Sequence, residues 1–348
     1  MGTRRRRVSV IYFISKLVKW DDLSMEIISN PTQGEIKKAA QALKDGHLVA
    51  FPTETVYGLG ADATNENAVS RVYSVKARPT DHPLIVHISS INQLGKWAVD
   101  IPEYAMKLAN KFWPGPMTLI LKRSEIAKDF ITGGQENVGV RVPSHPVALT
   151  LLSEFEKLGG VGVAAPSANR FGKVSPTSST DVQEDLGKYL EDTDLILDGG
   201  RSLVGIESTI INCLYDLPIV LRPGFVTVES VKSTIGLNVF LETYPYSIKT
   251  SGLLTSHYSP RAEIDLNGVL KPGEGFVAMA KIQTPFGGVR LASPETVEEF
   301  AKELYQSLRL GDKKGLKKII VILPTGIGLA VAINDRLKKA SSRKVDTE

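Results

Sequence analysis

The chain has 348 residues, with 42 Lys and Arg against 38 Asp and Glu, 42% hydrophobic residues and a single cysteine. That length predicts about two domains, and the composition excludes a disordered chain. No run of 18 apolar residues exists to span a membrane, and Cys213 alone excludes an intrachain disulfide or a cysteine-rich zinc site.

The lone thiol predicts a reducing compartment, and with no spanning segment the expected location is the cytoplasm. The five histidines form no His-x-x-x-His pair, so no histidine-based metal site is expected. The formal charge of +4 lies wholly in residues 1–24, which hold six basic and two acidic side chains. The rest of the chain balances at 36 basic and 36 acidic residues. The apolar core of this leader is short and broken by Ser15 and Lys16, with no small-x-small cleavage site behind it. It reads as a disordered extension, or as upstream sequence before a start at Met25, and stays outside the fold.

From Gly34 the periodicity becomes legible. Ile36, Ala39, Ala40 and Leu43 recur at helical spacing and Gly46 supplies a stop. HLVAFP (47–52) reads as a buried strand. A second helix starts near Asn65, buries Ala68, Val69, Val72 and Val75, and ends before Pro79. Strands are predicted at 83–88, 117–122, 138–142, 160–166, 194–198, 208–214 and 218–224, with helices at 102–112 and 228–235. Several strands follow one another without a helix between them. The expected fold is therefore α/β, a mixed twisted sheet with packed helices over residues 25–235.

Residues 236–261 are rich in Pro, Gly, Ser and Tyr and read as an extended linker. Residues 262–348 predict a small Rossmann-like α/β domain, from strands at 275–280 and 317–324 and helices near 294–308 and 328–339. The usual nucleotide loops fail. No G-x-x-x-x-G-K-[ST] occurs, and Gly160-x-Gly162-x-x-Ala165 runs into Pro166, where no helix can receive a pyrophosphate. No G-x-S-x-G elbow supports a nucleophilic hydrolase.

Four polar segments sit at predicted strand or helix ends, where α/β folds place ligands. FPTETVYGLGADA (51–63) follows a buried strand. Lys76 and Arg78, two apart, do not share a helix face but can reach one anion from a fraying last turn. AAPSANRFGKVSPTS (164–178) holds Ser167, Asn169, Ser175 and Thr177 between prolines. GIESTIINC (205–213) and VLRPG (220–224) add Glu207, Ser208, Thr209 and Arg222.

Together these segments resemble the threonylcarbamoyl-AMP synthase family, with its YrdC-like fold. Lys76-Ala-Arg78 and Ser167-Ala-Asn169, in that order after PTETVYGLG, match its K-x-R…S-x-N signature. WPGPMT, VRVPSHP, GIEST and LRPG match further blocks, and residues 309–337 resemble the C-terminal domain of the longer members. The resemblance implies a nucleotidyltransferase that makes L-threonylcarbamoyl-adenylate and pyrophosphate from L-threonine, bicarbonate and ATP, with Mg2+ accompanying the ATP. The product would pass to a tRNA threonylcarbamoyltransferase complex, with a weak tRNA contact and no membrane partner.

By motif position, Lys76 and Arg78 are the expected catalytic cations. Arg78, His82, Asn137, Ser167, Asn169, Ser175, Arg222 and Tyr258 are the expected ATP contacts. Thr53, His87, Arg141, Ala165 and Ser208 should line the threonine pocket, with Arg141 facing the substrate carboxylate. Glu207 is a candidate partner in the outer shell of magnesium. The linker block TSGLLTSHYSP (250–260) keeps His257, Tyr258 and Pro260 of the family's version, which folds over the nucleotide. The competing reading is a non-catalytic double-stranded RNA-binding module of the same fold, which the balanced charge of the body does not demand.

Overall fold

The computed structural model describes residues 27–241, 248–250 and 258–342. The leader at 1–24 and His257 lie outside the described residues. The chain begins β1 (Ile27–Ser29), α1 (Gln33–Lys44), β2 (Val49–Phe51), β3 (Gly58–Asp62), α2 (Glu66–Lys76), β4 (Ile85–His87), α3 (Leu94–Trp97) and α4 (Glu103–Phe112). It continues β5 (Met117–Lys122), α5 (Asp129–Thr132), β6 (Asn137–Arg141), α6 (Pro146–Lys157), β7 (Val163–Ala164), α7 (Ser179–Leu186) and β8 (Leu195–Asp198). Then come β9 (Thr209–Asn212), β10 (Ile219–Arg222), α8 (Val228–Ile235) and β11 (Phe240–Leu241). The last part is β12 (Glu263–Leu266), β13 (Gly275–Val277), β14 (Val289–Ala292), α9 (Val297–Lys313), β15 (Lys318–Val321) and α10 (Leu329–Ser341).

The first eleven strands form one sheet in the order β1-β8-β2-β3-β7-β4-β6-β5-β9-β10-β11. Its pairing is mixed. β3 and β7 run antiparallel to their neighbours, whereas β4 with β6 and β5 with β9 are parallel. Both faces are covered, which is why these strands read as apolar runs without alternation. On one face α1 packs Ile36, Ala39, Ala40 and Leu43 with Ala148, Leu151 and Phe155 of α6 over Phe51 and Val163. The other face carries the larger core, with Val69 and Val72 of α2 and Leu108 of α4.

Several elements go beyond the sequence reading. α6 was not anticipated, although Pro146 at its start and the spacing of Ala148, Leu151, Leu152 and Phe155 carry the signal. α7 and the short strands β1, β3, β12 and β14 likewise add to the predicted elements. The strand expected over 160–166 contracts to Val163–Ala164, because Gly160 and Gly162 lie against the rings of Phe155 and Trp97. These glycines serve close packing. β11, drawn from residues assigned to the linker, pairs with β10 and extends the large sheet past residue 235.

The second sheet, β12-β15-β13-β14, is wholly parallel. Phe300, Leu304 and Leu308 of α9 and Ile333 and Leu337 of α10 bury against Ile319 and Val321. Val56, Val174, Ile206 and Tyr258 belong to this same apolar cluster. The C-terminal domain thus shares its core with loops of the large sheet. Arg309 on α9 pairs with Asp185 on α7 at 2.6 Å, and Lys313 with Glu184 at 2.7 Å, adding polar fixings to the same contact.

Candidate active site

The Lys-Ala-Arg segment takes its shape from the end of α2. Ala77 caps the helix in the left-handed region, with φ 50° and ψ 44°. An alanine there is strained, and such strain persists only where the surroundings enforce it. The reversal separates its two cationic neighbours. Lys76 is 1% exposed, and its Nζ donates to the carbonyls of Ser167, at 2.5 Å, and of Asn169. Burial first, and then Arg78, lower its pKa well below the usual lysine range. Arg78 turns the other way, donating to the carbonyls of His82 and Pro83 and lying over the Phe171 ring at 5.6 Å. Burial lowers its pKa to about 10, so it stays charged at neutral pH.

Arg78 lines a cleft together with Thr53, His87, Arg141, Ala165, Ser167, Ser208, Arg222 and Tyr258. All five residues expected in the amino-acid pocket are therefore gathered in one place. Thr53 stands in the turn after β2, where its Oγ1 donates to the Val56 carbonyl at 2.6 Å and accepts from the Thr55 and Val56 amides. Ser208 and Arg222 arrive from the neighbouring strand ends of β9 and β10. The Arg222 guanidinium donates to the Ser208 carbonyl at 3.0 Å and to its hydroxyl at 3.1 Å. His87 ends β4 beside Arg141 at the end of β6, its register partner. Burial first, and then the Arg141 charge, push the His87 imidazole down to about 3, so it is neutral. Its Nδ1 has no partner among the described residues.

Arg141 is not a bare cation. It donates to Glu54 at 2.6 Å, Thr55 Oγ1 at 3.0 Å and the Gly115 carbonyl at 3.3 Å. The other Glu54 oxygen accepts the Ser144 amide at 3.0 Å. Glu54 lies in the polar segment after β2, where no local pattern assigns it a role. Its i+87 partner could not be read from spacing.

Glu207 is the second buried carboxylate at the cleft. One oxygen accepts Ser175 Oγ at 2.6 Å. The other accepts Tyr305 OH at 2.8 Å and Arg336 Nε at 3.0 Å, both from the C-terminal domain. Burial opposes its ionisation, yet the Arg336 and Arg222 charges outweigh that and hold it at about 2. Three donors thus hold its two oxygens in place at the cleft wall. Tyr305 and Arg336 were missed entirely, since no local pattern marks them.

Five expected residues do not line the cleft. Lys76 and Asn169 sit behind its wall, where Asn169 Nδ2 binds the carbonyls of Arg170 and Lys173. Ser175 is turned to Glu207. His82 packs edge-on against Phe171 and is part of the shelf that holds Arg78. Asn137 begins β6, four residues from Arg141 and so about 13 Å away along the strand. Tyr258 is buried in the cleft wall, stacked on Tyr305 at 5.7 Å with Arg336 over its ring at 5.6 Å. The amide of Ser259 donates to the Gly172 carbonyl, which pins the linker to the loop carrying Asn169. Among the described residues no group of three or more His, Cys, Asp or Glu side chains could hold a metal, and no helix is long and apolar enough to cross a membrane.

Comparison with known proteins agrees with this layout. Residues 41–224 match the Sua5–YciO–YrdC family profile, described as telomere recombination, and residues 226–342 match the C-terminal domain of threonylcarbamoyl-AMP synthase. The threonylcarbamoyl-AMP synthase of Pyrococcus abyssi is 41% identical over 333 residues, covering 89% of this chain and 95% of its own. That of Bacillus subtilis is 37% identical, covering 93% and 97%. The crystal structure of P. abyssi Sua5 complexed with L-threonine superposes with a TM-score of 0.82 at 38% identity, covering 91% of this chain and 98% of that one. The chain belongs to the threonylcarbamoyl-AMP synthase family, in its two-domain form.

Proposed function

We propose that this protein is an L-threonylcarbamoyladenylate synthase, a nucleotidyltransferase that joins L-threonine, bicarbonate and ATP and releases pyrophosphate. The observation that carries the reading is the convergence of Arg78, Arg141 and Arg222 with Thr53, His87 and Ser208 in one cleft. Carboxylate, carbamate and triphosphate are all anions, and this cleft offers fixed cations and donors. Relatives that carry the synthase name along nearly their whole length favour this reading over the non-catalytic RNA-binding one.

Threonine and bicarbonate give a carbamate with loss of water, and the carbamate oxygen then attacks the α-phosphate of ATP as pyrophosphate leaves. Charge grows on phosphate oxygens during that step, so preorganised cations lower the barrier without a covalent nucleophile. Arg78 and Arg222, both lining the cleft, take this work. Arg141, part-neutralised by Glu54, keeps N–H groups for the threonine carboxylate. The neutral His87 ring reads the amine or hydroxyl without adding charge. Ser167 reaches the nucleotide directly, while Lys76, Asn169 and Ser175 shape the wall behind it. Tyr258 closes the cleft and keeps water from the carbamate and the adenylate.

Magnesium enters with the nucleotide, held by phosphate and water, since Glu54 and Glu207 are both engaged by arginines. The product is handed to a tRNA threonylcarbamoyltransferase complex. Purified protein with ATP, Mg2+ and bicarbonate should release pyrophosphate only when L-threonine is present, and Arg78→Ala should lower that rate at least tenfold. Release that ignores threonine would overturn the reading.

A further inference from the structure

The C-terminal domain places one charged side chain wholly inside the contact with the catalytic cleft. Arg336, on α10, has a side chain with no exposed surface. Its Nε donates to Glu207 Oε2 at 3.0 Å and its Nη1 to the Pro223 carbonyl at 2.8 Å. Glu207 directly precedes Ser208, and Pro223 directly follows Arg222. One guanidinium therefore grips both strand ends that bring Ser208 and Arg222 into the cleft. It does so at the point where Arg222 bridges back to Ser208. Through Glu207 the same contact reaches Ser175 Oγ, and Tyr305 OH secures the carboxylate from α9.

Desolvating an arginine and a glutamate this fully is costly unless the geometry is met by several hydrogen bonds. A domain that served only to tether the linker would have no need of a charge at this spot. Elsewhere the contact is held by apolar packing through Val56, Val174 and Ile206 and by the more exposed Arg309–Asp185 and Lys313–Glu184 pairs. The fork of Arg336 matches two acceptors that flank two different strands, which a point-like ammonium matches less well.

We propose that Arg336 is a positioning residue for the nucleotide end of the cleft, acting from the C-terminal domain through Glu207 and Pro223 to set Arg222, and through Glu207 the Ser175 hydroxyl in the wall behind it. This deepens the synthase reading and rests on it for the identity of the nucleotide.

The test compares full-length wild type, Arg336→Gln, Arg336→Lys, Glu207→Gln and the Glu207→Gln/Arg336→Gln double variant. Thermal melting is recorded for each. ATP affinity is read by calorimetry, and KM for ATP and kcat from threonine-dependent pyrophosphate release. Arg336→Gln is expected to raise the ATP Kd and KM at least tenfold, with a smaller change in kcat. Arg336→Lys should recover part of that loss, and the double variant should be no worse than the poorer single one. Asp185→Asn, which weakens the contact of Arg309 on the other side of the interface, should leave the ATP KM within twofold. The proposal is overturned if Arg336→Gln melts lower while the ATP Kd stays within twofold, or if Asp185→Asn shifts it as much. Wild-type protein that binds ATP but releases no threonine-dependent pyrophosphate would overturn the synthase reading instead, and the ATP Kd values would still decide the role of Arg336.

Discussion

Arg141 donates to Glu54 at 2.6 Å, with both side chains more than nine-tenths buried. The pair joins the turn after β2 to the end of β6, two walls of the same cleft. Removing one partner from a buried ion pair leaves an uncompensated charge and typically costs about 3–5 kcal/mol. Glu54→Ala should therefore lower stability by that order, read by urea unfolding. Arg141→Ala should do the same and also weaken L-threonine binding at least tenfold by calorimetry. A Glu54→Ala protein as stable as wild type would remove the pair from the account.

His87 gives the fold a pH dependence whose sign follows from its burial. Its folded-state value near 3 lies below the ordinary 6.5, so between those limits the unfolded chain binds more protons. The stability this contributes is fully present above pH 6.5 and is lost as the pH falls toward 3. At pH 5 the loss is about 2 kcal/mol. His145 and His82 shift in the same direction, chiefly through burial, so the comparison must be a difference. His87→Gln should flatten the stability curve between pH 7 and pH 5 relative to wild type. Parallel curves for the two proteins would contradict it.

The mixed sheet and the two-domain order were legible because local cues mark them, whereas the gathering of Thr53, His87, Arg141, Ala165 and Ser208 was legible only through the family resemblance. Apolar runs ended by Pro or Gly marked the strands, and the polar segments at their ends took on roles through the resemblance to the family. What spacing does not carry is pairing across distance. Nothing near Glu207 announces an arginine 129 residues later, and nothing near Lys76 shows that its ammonium is spent on the Ser167 and Asn169 carbonyls. The left-handed Ala77 is also silent, because alanine gives no signal of a positive φ.

Gly205 makes the domain contact sensitive to a single methyl group. Its φ of +78° disfavours any side chain, and a Cβ there would lie 2.5 Å from the Lys302 Cα on α9. Backbone cannot yield as a flexible side chain would, so α9 must lift from the 202–207 loop. Gly205→Ala should cost at least about 2 kcal/mol, from left-handed strain together with overpacking. The domain junction should also become faster to cut by limited proteolysis. Unchanged cleavage and melting would show that the helix sits more loosely than these distances require.

Lys76 tests whether a motif cation works by touching substrate or by holding the wall. The residue is 1% exposed, and its Nζ is already bonded to two carbonyls of the 167–169 loop. Replacing it by methionine keeps most of the volume but leaves both carbonyls without that donor, at about 1–3 kcal/mol for each acceptor left unsatisfied. The loop carrying Ser167 should then loosen. Lys76→Met should accordingly show a lower melting temperature, at least a tenfold higher KM for ATP and faster amide hydrogen exchange over residues 165–173. A group that only contacted phosphate would raise the KM without touching the exchange rates of the ligand-free protein, so the exchange measurement separates the two roles.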